Sequence, residues 1–284
     1  MDNTRRPRHF RDIAHLYISR STSKDGSPPK RVYITPTSRE CFGGYHAANI
    51  ALGFAQKGYA VQLMEISDTL PCSAYFLRLP PSVYLKQKAR GAVPSPGVPT
   101  DTFSAMGGIM VRFIVPPDVS PDNEPEPGIT AGLRRRTAGA VDVFHLPPAS
   151  DVDALNQALD KATEFGRADA GARAVVLAPN ETEAREAGLR IFGRRPRIAW
   201  VTMSLGERSQ NAGGSQYGRQ HLGYLAGWRP LLADPLPCLV RDPESHVSRS
   251  YFSVCDALLS LRGAEEKKYE SKTQRRTASL GRFR

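Results

Sequence analysis

The chain has 284 residues, a formal net charge of +11 and a hydrophobic content of 40%. That apolar fraction can build a real core, and the basic excess favours anionic partners such as nucleic acid, anionic lipid or acidic protein surfaces. We expect a cytoplasmic protein, because no apolar run reaches the roughly 18 residues of a membrane-spanning helix and the N-terminus lacks the apolar region of a secretory signal.

Three parts are predicted along the chain. Residues 1–30 form an N-terminal extension that ends in the polar, proline-containing stretch RSTSKDGSPPKR, with helical spacing of apolar residues over 10–19. Residues 31–262 form one α/β domain. Residues 263–284 form a basic tail with few large apolar side chains, which we expect to stay disordered unless a partner orders it.

The predicted domain alternates strands with helices. Strands are expected at RVYIT, YAVQLMEIS, GGIMVRFIVPP, AVDVFHLPP, ARAVVLAP and RPRIAWVTMS, and helices at HAANIALGFAQKG, SDVDALNQALDKATEFG, NETEAREAGLRIFG and SRSYFSVCDALLSLRG. The expected helix ends are Gly58 and Gly193 at C-termini, and Asn180 and either Asp151 or Ser150 at N-termini. This alternation predicts a mostly parallel central sheet with helices on both faces, interrupted by an insertion-like segment over 68–140.

Metal-binding and catalytic motifs are missing from the sequence. The four cysteines and six histidines match no metal-ligand spacing, so free, partly buried thiols are expected. There is no G-x-S-x-G, no H-E-x-x-H and no G-x-G-x-x-G after a strand.

The stretch AANIALGFAQKGYAVQLMEIS, residues 47–67, closely resembles the helix and second strand of the MinD/ParA class of P-loop ATPases. In that family a deviant Walker A loop, K-G-G-x-G-K-T-T, precedes the helix, and a later strand ends in D-x-P-P, where this chain has VDVFHLPP. The stretches ARAVVLAPNETEAREAGLRIF and RIAWVTMS also match in order and spacing. The resemblance runs from about residue 31 to 261 and implies a P-loop NTPase fold of the MinD/ParA type.

The chemical residues of the family's phosphate loop are replaced in this chain. Aligned on the helix, Arg39 stands at the first loop lysine, and Glu40 and Cys41 replace two glycines. Gly43 retains a glycine, and Gly44 stands at the lysine that binds phosphate. Because that lysine places a fixed cation on the β- and γ-phosphates, the resemblance implies a loop without its main phosphate contact.

The family's magnesium-binding residues are replaced as well. Tyr45 and His46 stand at the Thr pair of the loop, Glu65 and Ser67 stand at the two acids that follow the second strand, and His145 stands at the D-x-P-P aspartate. Catalysis in such sites is largely positioning and electrostatic stabilisation. The resemblance therefore implies no hydrolysis, no metal ion and no bound cofactor.

Four of these positions leave alternatives open. Gly43 and Gly44 either shape a strand-to-helix turn or still offer helix N–H groups to an anion, which keeps residual ATP or ADP binding open. Glu65 is either an exposed acid at a strand end or a partner of Arg39. A histidine at the place of His145 is more often a hydrogen-bonded core residue than a base.

The resemblance implies a catalytically degenerate pseudo-ATPase that serves as a scaffold or regulatory subunit of a bacterial positioning, partition, secretion or polysaccharide-synthesis machine. Its partners would be proteins, in a homodimer, in a heterodimer with an active paralogue, or in a larger complex peripheral to the inner membrane. Two alternatives remain. One is an active ATPase in which Arg39 or a partner supplies the missing cation, and the other is a nonspecific nucleic-acid-binding protein.

Clustered basic residues are the candidate contacts for an anionic partner, either nucleic acid or a lipid surface. The stretch from residue 262 to 284, which is the tail with the preceding Arg262, has eight Lys/Arg against three Glu, a local net charge of +5. The remaining candidates are Arg134, Arg135, Arg136, Arg194, Arg195 and Arg197.

Overall fold

The computed structural model describes residues 31–66, 72–80, 102–113, 140–164, 172–195, 198–206, 221–224, 228 and 236–261. The predicted N-terminal extension and basic tail lie outside these residues, as does most of the segment 68–140. Ser67 and four of the six candidate arginines, Arg134, Arg135, Arg136 and Arg197, also lie outside them.

The described strands form one eight-stranded sheet. They are β1 (Arg31–Pro36), β2 (Ala60–Glu65), β3 (Thr102–Ser104), β4 (Met110–Phe113), β5 (Ala140–His145), β6 (Ala172–Ala178), β7 (Ile198–Ser204) and β8 (His221–Tyr224). Their order across the sheet is β3-β4-β2-β5-β1-β6-β7-β8. All neighbours run parallel except β3, which pairs antiparallel with β4.

Helices lie between the strands and after the last one. They are α1 (Gly43–Gln56), α2 (Ser73–Phe76), α3 (Val152–Glu164), α4 (Glu181–Phe192), α5 (Cys238–Arg241) and α6 (His246–Ser260), and a 3-10 turn, Arg39–Cys41, precedes α1. Within the described ranges, no helix has both the length and the apolar character that crossing a lipid bilayer requires.

The helices cover both faces of the sheet, as the alternating sequence pattern predicts. α1, α2, α5 and α6 pack on one face, where Val32 and Ile34 of β1 contribute to the core. α3 and α4 pack on the other face, with Tyr33 of β1 and Phe144 of β5. β1 and β6 are buried along their whole length, because strands of a doubly covered parallel sheet have no solvent face.

The helix ends follow the predicted capping chemistry. Asn180 accepts a hydrogen bond from the Glu183 N–H at 2.9 Å, and Asp151 accepts one from the Ala154 N–H at 3.0 Å. Gly58 follows α1 with φ at +88°, a conformation that glycine adopts without steric cost.

The segment 68–140, which was expected to be an insertion, contributes the strands β3 and β4 to the central sheet. β4 was predicted, whereas β3 and α2 were not. Gly107 and Gly108, with φ at +74° and +72°, lie in the turn that brings β4 back alongside β3. Two consecutive glycines ahead of a strand were the available signal for this hairpin.

Candidate functional site

The candidate site lies at the carboxyl edge of the central strands. In the sheet, β1 lies between β5 and β6. The chain leaves β1 towards β2, which lies beyond β5, whereas it leaves β5 in the opposite direction and crosses β1 to reach β6. Such a switch point in a parallel sheet creates a crevice where ligands bind. Glu65 and His145 are register partners at the ends of β2 and β5, and Ile34 of β1 is level with His145.

Glu65 and His145 form a buried hydrogen-bonded pair. His145 Nδ1 bonds to Oε1 of Glu65, while Oε2 of Glu65 accepts bonds from the hydroxyl of Ser73 and from the Ser73 backbone N–H, the latter at 2.9 Å. Glu65 is 2% exposed and His145 is fully buried. Of the two alternatives left open for Glu65, the exposed strand-end acid is therefore wrong, because the carboxylate is buried and accepts hydrogen bonds from protein donors. The Arg39 side chain is exposed.

The loop between β1 and α1 is a tight turn with a strained residue at its end. Phe42 has φ at +47° and ψ at 51°, the left-handed region that bulky residues rarely adopt. Cys41 is buried, with its Sγ 3.6 Å from the Thr37 hydroxyl and 3.5 Å from the Ser38 hydroxyl. These contacts pack the Cys41 thiol against both hydroxyl groups and keep the turn compact.

Gly43 lies against His145 at the start of α1. A Cβ placed on Gly43 would stand 2.7 Å from His145 Nε2 and 2.8 Å from Pro36 Cγ. Gly43 and Gly44 are both buried, and the Phe42 side chain does not cap the helix. Close packing against His145 and Pro36 therefore requires a glycine at position 43, while anion binding by the N–H groups at the start of α1 stays a prediction.

His46 is a buried neutral base that joins α1 to α6. Its Nδ1 lies 2.5 Å from the hydroxyl of Tyr251. Burial, with His145 nearby, lowers the pKa of His46 to about 3. The backbone of Cys41 lies near the His46 ring. His46 Nε2 nevertheless has no hydrogen-bond partner among the described residues.

Tyr45 packs into apolar surroundings next to α5. Its ring lies edge-on to Phe76 of α2 at 5.1 Å between centroids. Burial, with the Cys238 thiol beside it, raises the pKa of Tyr45 above its ordinary range. Asn49 of α1 connects that helix to α5, because its Oδ1 accepts a hydrogen bond from Cys238 Sγ at 3.1 Å. Its Nδ2 donates to the Tyr45 carbonyl, within α1, at 3.0 Å.

Trp228 is the centre of an aromatic cluster over the first turn of α1. Its ring centroid lies 4.7 Å from that of His46, 5.9 Å from that of Phe42 and 6.2 Å from that of Tyr45. Its indole N–H donates to the Leu205 carbonyl at 2.8 Å, just beyond β7. We use the term aromatic cluster for Phe42, Tyr45, His46, Phe76 and Trp228.

A magnesium ion does not fit the residues at this edge. Magnesium prefers oxygen ligands in octahedral geometry, but both Glu65 oxygens already accept hydrogen bonds and His145 offers only nitrogen. The Tyr45 phenol stays protonated at neutral pH, since a tyrosine has an ordinary pKa of about 10 and burial raises the pKa of Tyr45 further. The described part of the chain holds no group of three His, Cys, Asp or Glu side chains that could bind a metal ion.

The basic residues proposed for an anionic partner are only partly described. Arg194 is exposed, and Arg195 lies 3.4 Å from Asp160 of α3. Arg195 thus contacts an acid of its own chain, which weakens it as an anion contact. All four cysteines, Cys41, Cys72, Cys238 and Cys255, are free and buried.

Sequence reasoning missed the partners that complete the site. Ser73 and Tyr251 bond to Glu65 and His46, and Trp228 packs over the loop. These residues come from α2, α6 and the segment after β8, and no motif marks them. A polar N-terminal residue of α2 and a tyrosine on the buried face of α6 were the only available signals.

Known structures of the same architecture exist, although no protein-family model and no curated protein matches the sequence. A chain of the MinC:MinD cell division protein complex of Aquifex aeolicus aligns with a TM-score of 0.57 and 11% identity, over 82% of this chain and 96% of that chain. The ParA family ATPase from Chlorobium tepidum TLS aligns with a TM-score of 0.53 and 12% identity, over 82% and 100%. A putative plasmid partition protein from Borrelia burgdorferi B31, bound to AMPPNP, aligns with a TM-score of 0.54 and 11% identity, over 81% and 98%. This likeness confirms the predicted MinD/ParA-type P-loop fold, and at these identities it concerns the fold alone.

Proposed function

We propose that this chain is a pseudo-ATPase of MinD/ParA fold, acting as a scaffold or regulatory subunit of a bacterial positioning, partition, secretion or polysaccharide-synthesis machine. The observation that carries the proposal is the bonding of Glu65 to His145 and Ser73. Phosphoryl transfer in P-loop proteins relies on a loop lysine and on magnesium to neutralise phosphate charge. Here a glycine, Gly44, stands at the lysine position, and the strand-end acid is bonded to protein donors.

The aromatic cluster supports the same proposal. Trp228 packs on Phe42, Tyr45 and His46 and so contacts both the loop and the first turn of α1. In ATPases of this kind the nucleotide completes the site and switches the protein between states. A loop held by its own side chains suits a constitutive scaffold, because its shape does not depend on a bound ligand.

A scaffold acts through its surface, so the proposed partners are proteins, with the chain in a homodimer, in a heterodimer with an active paralogue, or in a larger complex. One solved chain of similar fold belongs to a MinC:MinD complex, which supports a role in assembly. The proposed location is the cytoplasm or the inner face of the inner membrane, reached through a protein partner.

The first prediction concerns hydrolysis. The purified chain with ATP and Mg²⁺ is expected to release no phosphate above the rate of buffer alone, since neither the lysine nor the metal ligands are present at their positions. Phosphate release is measured continuously over hours at saturating ATP. Magnesium-dependent phosphate release that Gly44→Glu abolishes would contradict the proposal. That variant adds a negative charge at the start of α1, which would stop hydrolysis by this chain but not hydrolysis by a contaminating enzyme.

Nucleotide binding without turnover is measured separately, by thermal shift with ATP and with ADP. Gln56→Glu is the matched control for Gly44→Glu, because it makes the same charge change at the far end of the same helix. A shift seen in the wild type and in Gln56→Glu but lost in a Gly44→Glu chain that still unfolds cooperatively would locate residual binding at the N-terminus of α1. No shift in any of the three proteins would mean that the helix N-terminus receives no nucleotide.

A further inference from the structure

Glu65 is the point where three elements of the candidate site are joined. Its Oε1 receives the bond from His145 of β5, and its Oε2 receives both bonds from Ser73 at the start of α2. Glu65 itself ends β2. A buried carboxylate is costly unless it is hydrogen-bonded or paired, and here donors on two different elements satisfy both oxygens.

The side chain of His145 supplies what a cation would otherwise supply at this place. A divalent cation at the end of parallel strands links carboxylates by accepting their lone pairs. The His145 Nδ1–H makes the same kind of link from β5 to Glu65 with a hydrogen bond instead. His145 Nε2 has no partner among the described residues and lies beside Gly43, so Nδ1 is the ring atom that makes the link.

We infer that the His145 Nδ1–H is an internal replacement for a divalent cation, so that the single substitution His145→Asp converts the pair with Glu65 into a cation-binding pair of carboxylates. This inference rests on the proposed loss of the magnesium site. It identifies one residue as the cause of the proposed loss of the magnesium site, where the proposed function names only the loss of hydrolysis.

Side-chain geometry favours this conversion. In histidine the Nδ1 atom is three bonds from Cα, and in aspartate each carboxylate oxygen is also three bonds from Cα. In the His145→Asp chain, one oxygen of the new carboxylate would therefore lie close to the present position of Nδ1, in contact with Glu65 Oε1. Two carboxylates in such contact cannot both stay ionised without a compensating cation.

His145→Asn is the matched control for His145→Asp. The asparagine side chain has almost the same size and shape as aspartate, and its amide nitrogen is also three bonds from Cα. It can therefore donate to Glu65 as His145 does now. The two variants remove the same ring and differ only in whether a donor or a negative charge faces the carboxylate.

The experiment measures the thermal midpoint of the full chain by circular dichroism, in EDTA and across a titration with Mg²⁺ or Ca²⁺. Wild type and His145→Asn are expected to show no cation dependence. His145→Asp is expected to melt roughly 10 °C below His145→Asn in EDTA. Its midpoint should then rise with the logarithm of cation concentration, as linkage to a native-state site requires. Adding Glu65→Gln to His145→Asp should abolish the rise.

Two results would overturn the inference. The first is a wild-type midpoint that rises with Mg²⁺ or Ca²⁺ and loses the rise in Glu65→Gln. The second is a His145→Asp chain whose midpoint does not respond to either cation. If His145→Asp is unfolded in EDTA, the readout is refolding on cation addition, followed by far-UV circular dichroism, and a chain that stays unfolded counts against the inference. ATP hydrolysis by the wild type would contradict the proposed function but leave the cation response of His145→Asp unaffected.

Discussion

Single buried polar side chains decide how the candidate site behaves. His46 is fully buried, bonds to the Tyr251 hydroxyl and stays neutral because burial lowers its pKa to about 3. An unfolded chain would instead protonate this histidine near its ordinary pKa of about 6.5. Between those two values the unfolded state binds a proton that the folded state does not, so stability falls as the pH falls.

The second prediction follows from that difference. Because of His46, the free energy of unfolding should be about 2 kcal/mol lower at pH 5 than at pH 7.5. Each pH unit below the pKa of the unfolded-state histidine lowers it by about 1.4 kcal/mol. His46→Gln, which can still bond to Tyr251, should show a smaller loss of stability over this range. Urea unfolding at both pH values measures it, with His246→Gln on the exposed start of α6 as a control. An equal loss in wild type and His46→Gln would refute the assignment.

How much of the site could be predicted also differs from residue to residue. The resemblance to the MinD/ParA family placed Arg39, Gly43, Gly44 and Glu65 on the loop and strand end. The bond between Glu65 and His145 spans 80 positions in the sequence, and it depends on β2 lying next to β5. No local pattern encodes that adjacency, so the alternatives for Glu65 could not be resolved without the fold.

At the scale of elements, α1 is held between the sheet and α6 by close packing. Gly53 of α1 faces Cys255 of α6, and a Cβ placed on Gly53 would stand 2.7 Å from Cys255 Sγ and 3.6 Å from Leu239 Cδ1. Cys255 Sγ also donates to the Ile50 carbonyl at 3.6 Å. The glycine therefore permits the approach of α6 but leaves α1 with an intrinsically poor helix former.

The third prediction uses this contact. Gly53→Ala should destabilise the wild type by about 1–3 kcal/mol through overpacking. In a Cys255→Ala background the same change should stabilise by up to about 1 kcal/mol, because alanine favours helix and the sulfur is gone.

Chemical denaturation of the four chains in this double-mutant cycle gives the coupling between the two positions. Cys238→Ala is the control background, since its thiol contacts Asn49 rather than Gly53. Gly53→Ala should remain destabilising there. Additive effects of Gly53→Ala and Cys255→Ala would show that the close contact is absent.

Element ends were the best predicted part of the structure, because capping is local chemistry. Asn180 and Asp151 cap their helices with the expected hydrogen bonds, and Gly58 takes the positive φ that ends α1. β3 was missed because three residues carry too little pattern to distinguish a strand from a loop. Its pairing with β4 depends on the turn at Gly107 and Gly108.

For the whole molecule, the order of strands separates a protected centre from two edges. β1 and β6 are buried along their length and have a neighbour on each side, whereas β3 and β8 end the described sheet. Strand–helix alternation was sufficient to predict a parallel sheet covered on both faces. It could not give the strand order, which is set by contacts between residues far apart in the sequence.

The fourth prediction is a gradient of amide hydrogen exchange across the sheet. Amides of β1 and β6 should exchange only through global unfolding, and those of β3 and β8 through local opening. Mass spectrometry at several low urea concentrations distinguishes the two routes, because only exchange through global unfolding accelerates steeply with urea. Protection of β8 equal to that of β1 would contradict the described topology.

The two tryptophans of the chain lie in different layers of the molecule. Trp228 is 1% exposed and packs beside His46 over the loop, whereas Trp200 of β7 belongs to the core under α3 and α4. The sheet separates the two indoles, so the chain carries two intrinsic fluorophores with different surroundings. Replacing one of them leaves an optical probe that reports either on the loop or on the opposite layer, without an added label.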